Sequence, residues 1–152
     1  MTASVVNPIA ELSIAADTGE VRRASTWLEM ACIEREIPPE EIRRLDLCLN
    51  EALANVIAHS GAIASSFQIR LHLNVSHDQN ASEATVTIVD AGAAFDPLAV
   101  APKPRPLTLS EAEPGGLGLL MIRSFADKVN YQYRQDRNQL TFSVLWTEHG
   151  NG

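Results

Sequence analysis

Polar side chains recur at every fourth position of the segment "NEALANVIAH", residues 50–59. At about 100° per residue, Glu51, Asn55 and His59 fall within roughly 80° of one another on a helix, beside a separate apolar arc. The segment has no lysine or arginine to pair with Glu51. An unpaired carboxylate near an apolar surface can act as a general base, and together with an amide it can hold hydrated Mg²⁺. The alternative interpretation is a solvated helix face.

A second candidate is the carboxylate in "VTIVDAGAAFDP", residues 86–97. Asp90 ends an apolar strand and Gly92 follows two residues later. A strand-end carboxylate can point into a cleft, and a glycine backbone can lie close to a ligand. The alternative is a plain Asp-x-Gly turn.

The third candidate is a run of glycines in "EPGGLGLLMI", residues 113–122, ahead of an apolar, helix-like segment. Glycine costs a helix about 0.5–1 kcal/mol relative to alanine, so three of them need a reason. Backbone N–H groups at a helix start bind anions, and the segment therefore predicts a phosphate cradle. It is neither a Walker A loop nor a dinucleotide fingerprint, because it lacks GxxxxGK[ST] and follows no strand. A tight loop-to-helix junction is the alternative.

Hydrophobic periodicity predicts the elements that position these groups. A strand at about 9–16 precedes two helices, at about 20–37 and 40–59, and then a hairpin of strands at 66–76 and 83–90. Residues 97–114 hold five of the eight prolines, which predicts a long loop.

A helix is expected to run from the glycines to about Val129, before a second hairpin with strands at 130–134 and 139–146 around the turn "QDRN". This order predicts an α/β (α+β) two-layer sandwich, in which about three helices cover one face of a mostly antiparallel sheet. We expect one domain over residues 1–152, with its core at about 9–147 and a lid loop at about 97–114.

The composition of the chain limits the classes of partner that we expect it to bind. The 152 residues carry a formal charge of −7, and the only lysines are Lys103 and Lys128. This charge argues against direct binding of nucleic acid or anionic lipid and favours a small ligand or a protein partner. The sequence shows neither a secretory leader nor a membrane-spanning apolar run, so we expect a cytoplasmic protein. Cys32 and Cys48 lack metal-ligand spacing and are interpreted as buried small hydrophobes.

Taken in this order and spacing, the three motifs resemble those of the GHKL superfamily of ATPases, which has the Bergerat ATP-binding fold. Glu51-x-x-x-Asn55 resembles the N box, "DAG" at 90–92 the first glycine box, and "GGLGL" at 115–119 the second. Within the superfamily the chain resembles the bacterial anti-sigma-factor serine/threonine kinases, whose D-x-G-x-x-F-D pattern "DAGAAFD" reproduces. Histidine kinases usually have a glycine where this chain has Ala94.

The resemblance implies an ATP site. Asp90 would bind the adenine amino group, and Gly92 would let the base lie close. Asn55 would ligate Mg²⁺, and Glu51 would be the general base for the attacking hydroxyl. The backbone of four residues would hold the phosphates: Gly116, Leu117, Gly118 and Leu119.

Three further residues have open roles. His59 matches a histidine that is frequent after the N box, and a packing or helix-end role is equally open. Lys103 and Arg105 lie in the proline-rich loop, where they would close over the phosphates or remain solvated loop charges.

The implied function is that of an ATP- and Mg²⁺-dependent serine/threonine kinase. It would phosphorylate a STAS-type anti-sigma antagonist and, when not bound to it, sequester a sigma factor or another regulatory protein. The alternative is a nucleotide-binding partner-switching module without kinase activity, and a third option is a detached ATPase domain of a two-component system. The resemblance also suggests homodimers.

Overall fold

The computed structural model describes residues 8–60, 68–91 and 122–147. These ranges contain β1 (Ala10–Ala15), α1 (Val21–Glu34), α2 (Pro39–Ser60), β2 (Gln68–His77), β3 (Ser82–Asp90), β4 (Lys128–Arg134) and β5 (Arg137–Trp146). A 3₁₀ turn, Thr18–Glu20, precedes α1, and residues 122–125 are helical. None of the helices in the described ranges combines the length and apolar character that crossing a bilayer requires.

The five strands form one antiparallel sheet in the order β1-β2-β3-β5-β4. Period-two alternation places the apolar side chains of neighbouring strands on one face; Leu71 opposes Ile88, which opposes Leu140. These side chains share one buried core with those of α1 and α2. The structure thus confirms the expected two-layer α+β sandwich with helices on one face of an antiparallel sheet.

The first helix is shorter than its sequence predicts. It ends at Glu34 rather than near Ile37, because Glu36 adopts a left-handed conformation with φ 58°. The Glu36 N–H donates to the Ile33 carbonyl at 3.1 Å, and the Ile37 N–H donates to the Cys32 carbonyl at 3.1 Å. This pair of bonds is a Schellman motif. It satisfies the last carbonyls of α1 and buries Ile37 before α2 begins.

The helix predicted to reach Val129 was also too long. Strand β4 begins at Lys128, where the prediction had helix. The Asp127 N–H donates to the Ser143 carbonyl at 2.8 Å, and Val129 pairs with Phe142 of β5. Pairing with the sheet therefore replaces the last helical turn that the apolar pattern suggested.

The second hairpin has a tighter turn than expected. Gln135 and Asp136 both have positive φ, 53° and 60°, as the two central residues of a type I′ turn require. Strand β5 consequently begins at Arg137, two residues before its predicted start. Asn138, which we had placed in the turn, lies inside the strand and is buried.

Arg44 of α2 anchors that helix to the end of the sheet. Its Nε donates to the Phe125 carbonyl at 2.8 Å, and its guanidinium lies 3.1 Å from Asp127 Oδ2. The same carboxylate oxygen accepts the Leu145 N–H of β5 at 2.6 Å. One side chain therefore joins α2, the helical residues 122–125 and β5.

We expect Arg44→Met to lower the free energy of unfolding by about 1–2 kcal/mol, because it removes a partly buried ion pair and a charged hydrogen bond. Arg43→Met is the matched control, since among the described residues Arg43 pairs with Glu40 alone, at an exposed site. That variant should change stability by less than about 0.5 kcal/mol. Urea denaturation of both variants checks this, and equal losses would contradict the anchoring role.

Both cysteines are buried and free. Burial raises the pKa of the Cys48 thiol to about 11 against the opposing charge of Arg44. Burial likewise raises the pKa of the Cys32 thiol to about 12, with Arg35 lowering it and Asp46 raising it. The thiols are therefore protonated at neutral pH, as small hydrophobes would be. Among the described residues, no three His, Cys, Asp or Glu side chains cluster as a metal site.

Candidate functional site

Asn55 is a buried amide that has no hydrogen-bond partner among the described residues. Its side chain lies on α2, the residue is 5% exposed, and neither Oδ1 nor Nδ2 has a hydrogen-bond partner within residues 8–60, 68–91 and 122–147. Nearly all buried polar groups in proteins are hydrogen-bonded, and an unsatisfied one costs on the order of 1–3 kcal/mol. The amide is therefore best explained as a group that awaits a ligand, with Oδ1 as an acceptor and Nδ2 as a donor.

Glu51 lies one helical turn before Asn55 and is half-buried. In the described ranges its carboxylate takes part in no ion pair or hydrogen bond, as the lack of basic residues in this segment predicts. The two side chains are neighbours on the helix surface because they are four residues apart. The side chain of His59, one turn further, lies outside the described residues.

A polar network fixes the rotation of α2 against α1. The Ser25 hydroxyl of α1 donates to Asp46 Oδ1, and Asn50 Nδ2 donates to the Asp46 carbonyl at 2.7 Å and to its Oδ1 at 3.2 Å.

Asn55 lies eleven residues after Arg44, within about 20° of it around the helix. The candidate site is thus on the face of α2 that Arg44 directs toward residues 122–127.

Asp90 lies at the inward-facing end of β3 and is 6% exposed. Its Oδ1 accepts a hydrogen bond from Asn138 Nδ2 at 3.1 Å, and the Tyr131 hydroxyl donates to Asn138 Oδ1. We call these three residues the Asp90 relay. Its members come from three adjacent strands, since β5 lies between β3 and β4 and Asn138 directly opposes Asp90.

Sequence reasoning missed Tyr131 and Asn138. The available signal was the period-two pattern of β5, whose buried alternate positions are Asn138, Leu140, Phe142, Val144 and Trp146. Extending that alternation back by one step would have placed the amide on the same face as Asp90.

Asn55 and Asp90 lie toward the same end of the molecule. Arg44 is joined through Asp127 to Leu145, near the last residue of β5. Along α2, Asn55 lies about 16 Å beyond Arg44, at 1.5 Å per residue. Along β5, the position opposite Asp90 lies roughly 24 Å before Leu145.

The directions along α2 and β5 agree because Arg35, just after α1, donates to the Pro8 carbonyl ahead of β1, while Asp46 of α2 contacts Ser25 near the start of α1. Helix α2 therefore runs toward the end of the sheet where β1 ends and Asp90 lies.

The remaining predicted site residues lie outside the described ranges. They comprise the first-box glycine, the phosphate cradle and the two lid cations: Gly92, Gly116, Leu117, Gly118, Leu119, Lys103 and Arg105. Their roles, and the lid loop at 97–114, stay predictions.

The fold and these side chains agree with comparisons to known proteins. A model of the histidine kinase-like ATPase domain matches residues 14–144. The chain therefore belongs to the family of histidine kinase-like ATPase domains. It is 34% identical over 133 residues to the serine/threonine-protein kinase BtrW of Bordetella bronchiseptica, covering 88% of this chain and 89% of that protein.

Two solved structures share the fold. The RsbU and RsbW domains of Rv1364c from Mycobacterium tuberculosis superpose with a TM-score of 0.65 at 14% identity over 91% of this chain. This chain spans 32% of that one, about a third of its length. The SiaB-SiaC complex from Pseudomonas aeruginosa gives a TM-score of 0.50 at 12% identity, covering 90% of this chain and 89% of its counterpart.

These findings confirm the resemblance derived from the motifs. The family is that of an ATPase domain, and the similarity to BtrW identifies the enzyme class as an ATP-dependent protein serine/threonine kinase. The structural matches agree with the fold of this family.

Proposed function

We propose that this chain binds Mg-ATP between α2 and the β3–β5 end of the sheet and transfers the γ-phosphoryl group to a serine or threonine of a STAS-type antagonist. The observation that carries this proposal is the buried amide of Asn55, which lies one turn after Glu51 and has no partner in the part of the chain that the structure describes. An ATP-dependent kinase needs an oxygen ligand and a base at neighbouring positions, and α2 supplies both.

The chemistry of Asn55 fits a magnesium ligand. Mg²⁺ takes oxygen ligands, including side-chain amides, and usually retains several waters and substrate phosphate oxygens. Oδ1 of Asn55 is such an oxygen, and no other described group uses it. When bound, Mg²⁺ would neutralise the negative charge that develops on the phosphates during phosphoryl transfer.

Glu51 acts as the general base. It accepts the proton of the substrate hydroxyl while the hydroxyl oxygen forms a bond to the γ-phosphorus and the bond from phosphorus to the ADP oxygen breaks. Its half-buried carboxylate is suited to this role because no described lysine or arginine forms an ion pair with it. Asp90 accepts a hydrogen bond from the 6-amino group of adenine, and Gly92 lets the base lie close.

The phosphates bind the backbone N–H groups of residues 116–119, and Lys103 and Arg105 close over them. Support comes from the order of contacts along α2. Arg44 binds the Phe125 carbonyl, and one turn later the Cys48 thiol lies 3.9 Å from the Ile122 carbonyl. As α2 runs toward Asn55, its contacts therefore move back along the chain from Phe125 to Ile122.

The regulatory role follows from the proposed substrate. The unphosphorylated antagonist competes with a sigma factor, or another regulatory protein, for the kinase, and phosphorylation of the antagonist leaves the kinase free to sequester that protein. Such a role places the protein in the cytoplasm. It involves no direct contact with nucleic acid, in agreement with the net charge of −7.

The test is phosphoryl transfer from γ-labelled ATP with Mg²⁺ to STAS proteins encoded by neighbouring genes. Labelled phosphoserine or phosphothreonine in one of them is the expected result. Tight ATP binding without transfer to any of them would support the nucleotide-binding module instead. Label on a histidine of a partner would support a detached two-component domain.

We further propose that the protein forms a homodimer through the outer face of β1 and α1. Met30 and Ile33 of α1 are 59% and 60% exposed, beside a groove of ≈ 660 Å³ between α1 and β1. The charged lining residues are two acids and two bases: Glu11, Glu34, Arg23 and Arg35. A second copy related by a twofold axis presents the same surface, so each charge can face its opposite. This groove is separate from the α2 site.

Sedimentation equilibrium tests the dimer. The wild-type protein should have the mass of two chains, and Met30→Glu should shift it to one, because it buries a charge in an apolar contact. Tyr133→Glu changes an exposed aromatic residue of β4, at the opposite edge of the sheet from β1, and is the control that stays dimeric. A wild-type monomer, or a dimer that survives Met30→Glu, would remove this interface.

A further inference from the structure

We infer that Tyr131 and Asn138 are positioning residues that set the preference of the ATP site for adenine, by holding the Asp90 carboxylate in one orientation. This inference rests on the proposed function, since it assigns a purpose to the Asp90 relay within that site. It concerns two residues to which the motifs give no role.

The relay is buried where it meets Asp90. Asp90 and Asn138 are directly opposed in the β3–β5 register and are 6% and 7% exposed. The bond from Asn138 Nδ2 to Asp90 Oδ1 is 3.1 Å long. A buried hydrogen bond to a carboxylate is stronger than a neutral one and restricts the side chain to one rotamer.

Tyr131 holds the oxygen end of the Asn138 amide, while Asp90, whose carboxylate only accepts, requires that the nitrogen end face it. The tyrosine hydroxyl donates to Asn138 Oδ1, so that oxygen faces β4 and Nδ2 faces Asp90. The reversed amide would place the Asn138 oxygen against the carboxylate oxygen, two acceptors with no proton between them. The tyrosine therefore acts on Asp90 through Asn138.

A fixed carboxylate has a consequence for base selection. Asp90 offers acceptor oxygens, which match the 6-amino group of adenine and not the 6-keto group of inosine or guanosine. Sites built to hydrogen-bond a substrate group reject analogues that lack it, because the buried polar partner is then left unpaired. Loss of the relay should therefore weaken binding of ATP and leave binding of an analogue without the 6-amino group nearly unchanged.

Calorimetric titration in Mg²⁺ with ATP and with purine riboside triphosphate, which lacks the 6-amino group, measures the discrimination ratio. We expect Asn138→Leu to lower the ratio about 10-fold and Tyr131→Phe to lower it about 3-fold, through weaker ATP binding. Affinity for the purine analogue should stay within about 2-fold, since it never used the relay. Tyr133→Phe makes the same change at an exposed tyrosine of β4 and should leave both affinities unchanged.

A double-mutant cycle separates positioning from a general structural effect. In the Asn138→Leu background, Tyr131→Phe should produce no further loss of discrimination, because its effect passes through Asn138. Independent structural damage would add in the double variant and would lower the affinity for both nucleotides. Either result would overturn the inference.

Failure of the inference can be told from failure of the proposed function. If the wild type binds ATP, Asp90→Ala abolishes the preference for ATP, and both relay variants keep the wild-type ratio, only the relay role is lost. If the wild type shows no preference for ATP, or Asp90→Ala keeps it, the adenine role of Asp90 falls and the relay role falls with it. Should Asn138→Leu fail to fold by circular dichroism, Tyr131→Phe alone decides.

Discussion

Glu51→Gln should lower phosphoryl transfer to the antagonist by about 10²- to 10⁴-fold, the usual contribution of a general base. Glutamine has nearly the shape of glutamate and cannot accept the proton of the attacking hydroxyl. Affinity for Mg-ATP should stay within a few-fold of wild type, because the proposed contacts to nucleotide come from other residues. Single-turnover transfer and calorimetric titration of the same preparation measure the two quantities.

Glu29→Gln is the matched control, since Glu29 is an exposed glutamate on α1. It should transfer phosphate at the wild-type rate. Transfer that survives Glu51→Gln would remove Glu51 from the role of base. Equal loss of transfer and of ATP affinity would instead assign this carboxylate to nucleotide or metal binding.

Asn55→Ala should abolish Mg²⁺-dependent ATP binding without destabilising the free protein. Removal of a metal ligand should cost at least the roughly 10- to 100-fold in metal affinity that loss of an outer-shell partner causes. Alanine also removes two buried polar atoms that have no partner in the described ranges. The free energy of unfolding should therefore stay unchanged or increase by about 1 kcal/mol. Urea denaturation without nucleotide and titration with Mg-ATP measure these effects.

Asn50→Ala is the control for that substitution. Asn50 lies on the same helix, and its amide is satisfied by Asp46 at 2.7 Å and 3.2 Å. Both variants replace asparagine with alanine in α2, so the gain in helix propensity is the same in the two. We therefore expect Asn55→Ala to be more stable than Asn50→Ala by about 1–2 kcal/mol, the difference between removing unsatisfied and satisfied amides. The reverse order of stabilities would contradict the interpretation of Asn55 as a ligand group.

Local patterns predicted most of the architecture because each element carried its own signal. The alternation in β2 and β3 gave the hairpin, and the glycine- and proline-free interior of α2 gave the long helix with Glu51 and Asn55 on adjacent turns. These signals depend on neighbours in the sequence, which periodicity reports directly.

The errors occurred where distant contacts decide the local conformation. The pattern extended the last helix through Val129, but pairing of that residue with Phe142 made it a strand. Asn138 looked like part of a polar turn, because only the left-handed pair Gln135 and Asp136 shows where the turn ends. The relay that contains Asn138 was therefore invisible until the register of β3 and β5 was known.

The burial of Asn55 also could not be derived from its spacing. The period of the helix placed the amide beside Glu51, but a solvated face has the same period. What separates the two interpretations is that Oδ1 and Nδ2 are both buried and find no partner among the residues that the structure describes. That property depends on how α2 packs against the sheet.

A crystal structure of the protein with Mg²⁺ and a non-hydrolysable ATP analogue tests the central claim most directly. We predict magnesium coordinated by Asn55 Oδ1, the adenine amino group on the Asp90 carboxylate, and the γ-phosphate near Glu51. A nucleotide bound elsewhere, such as in the groove between β1 and α1, with Asn55 still lacking a ligand, would contradict the proposed site.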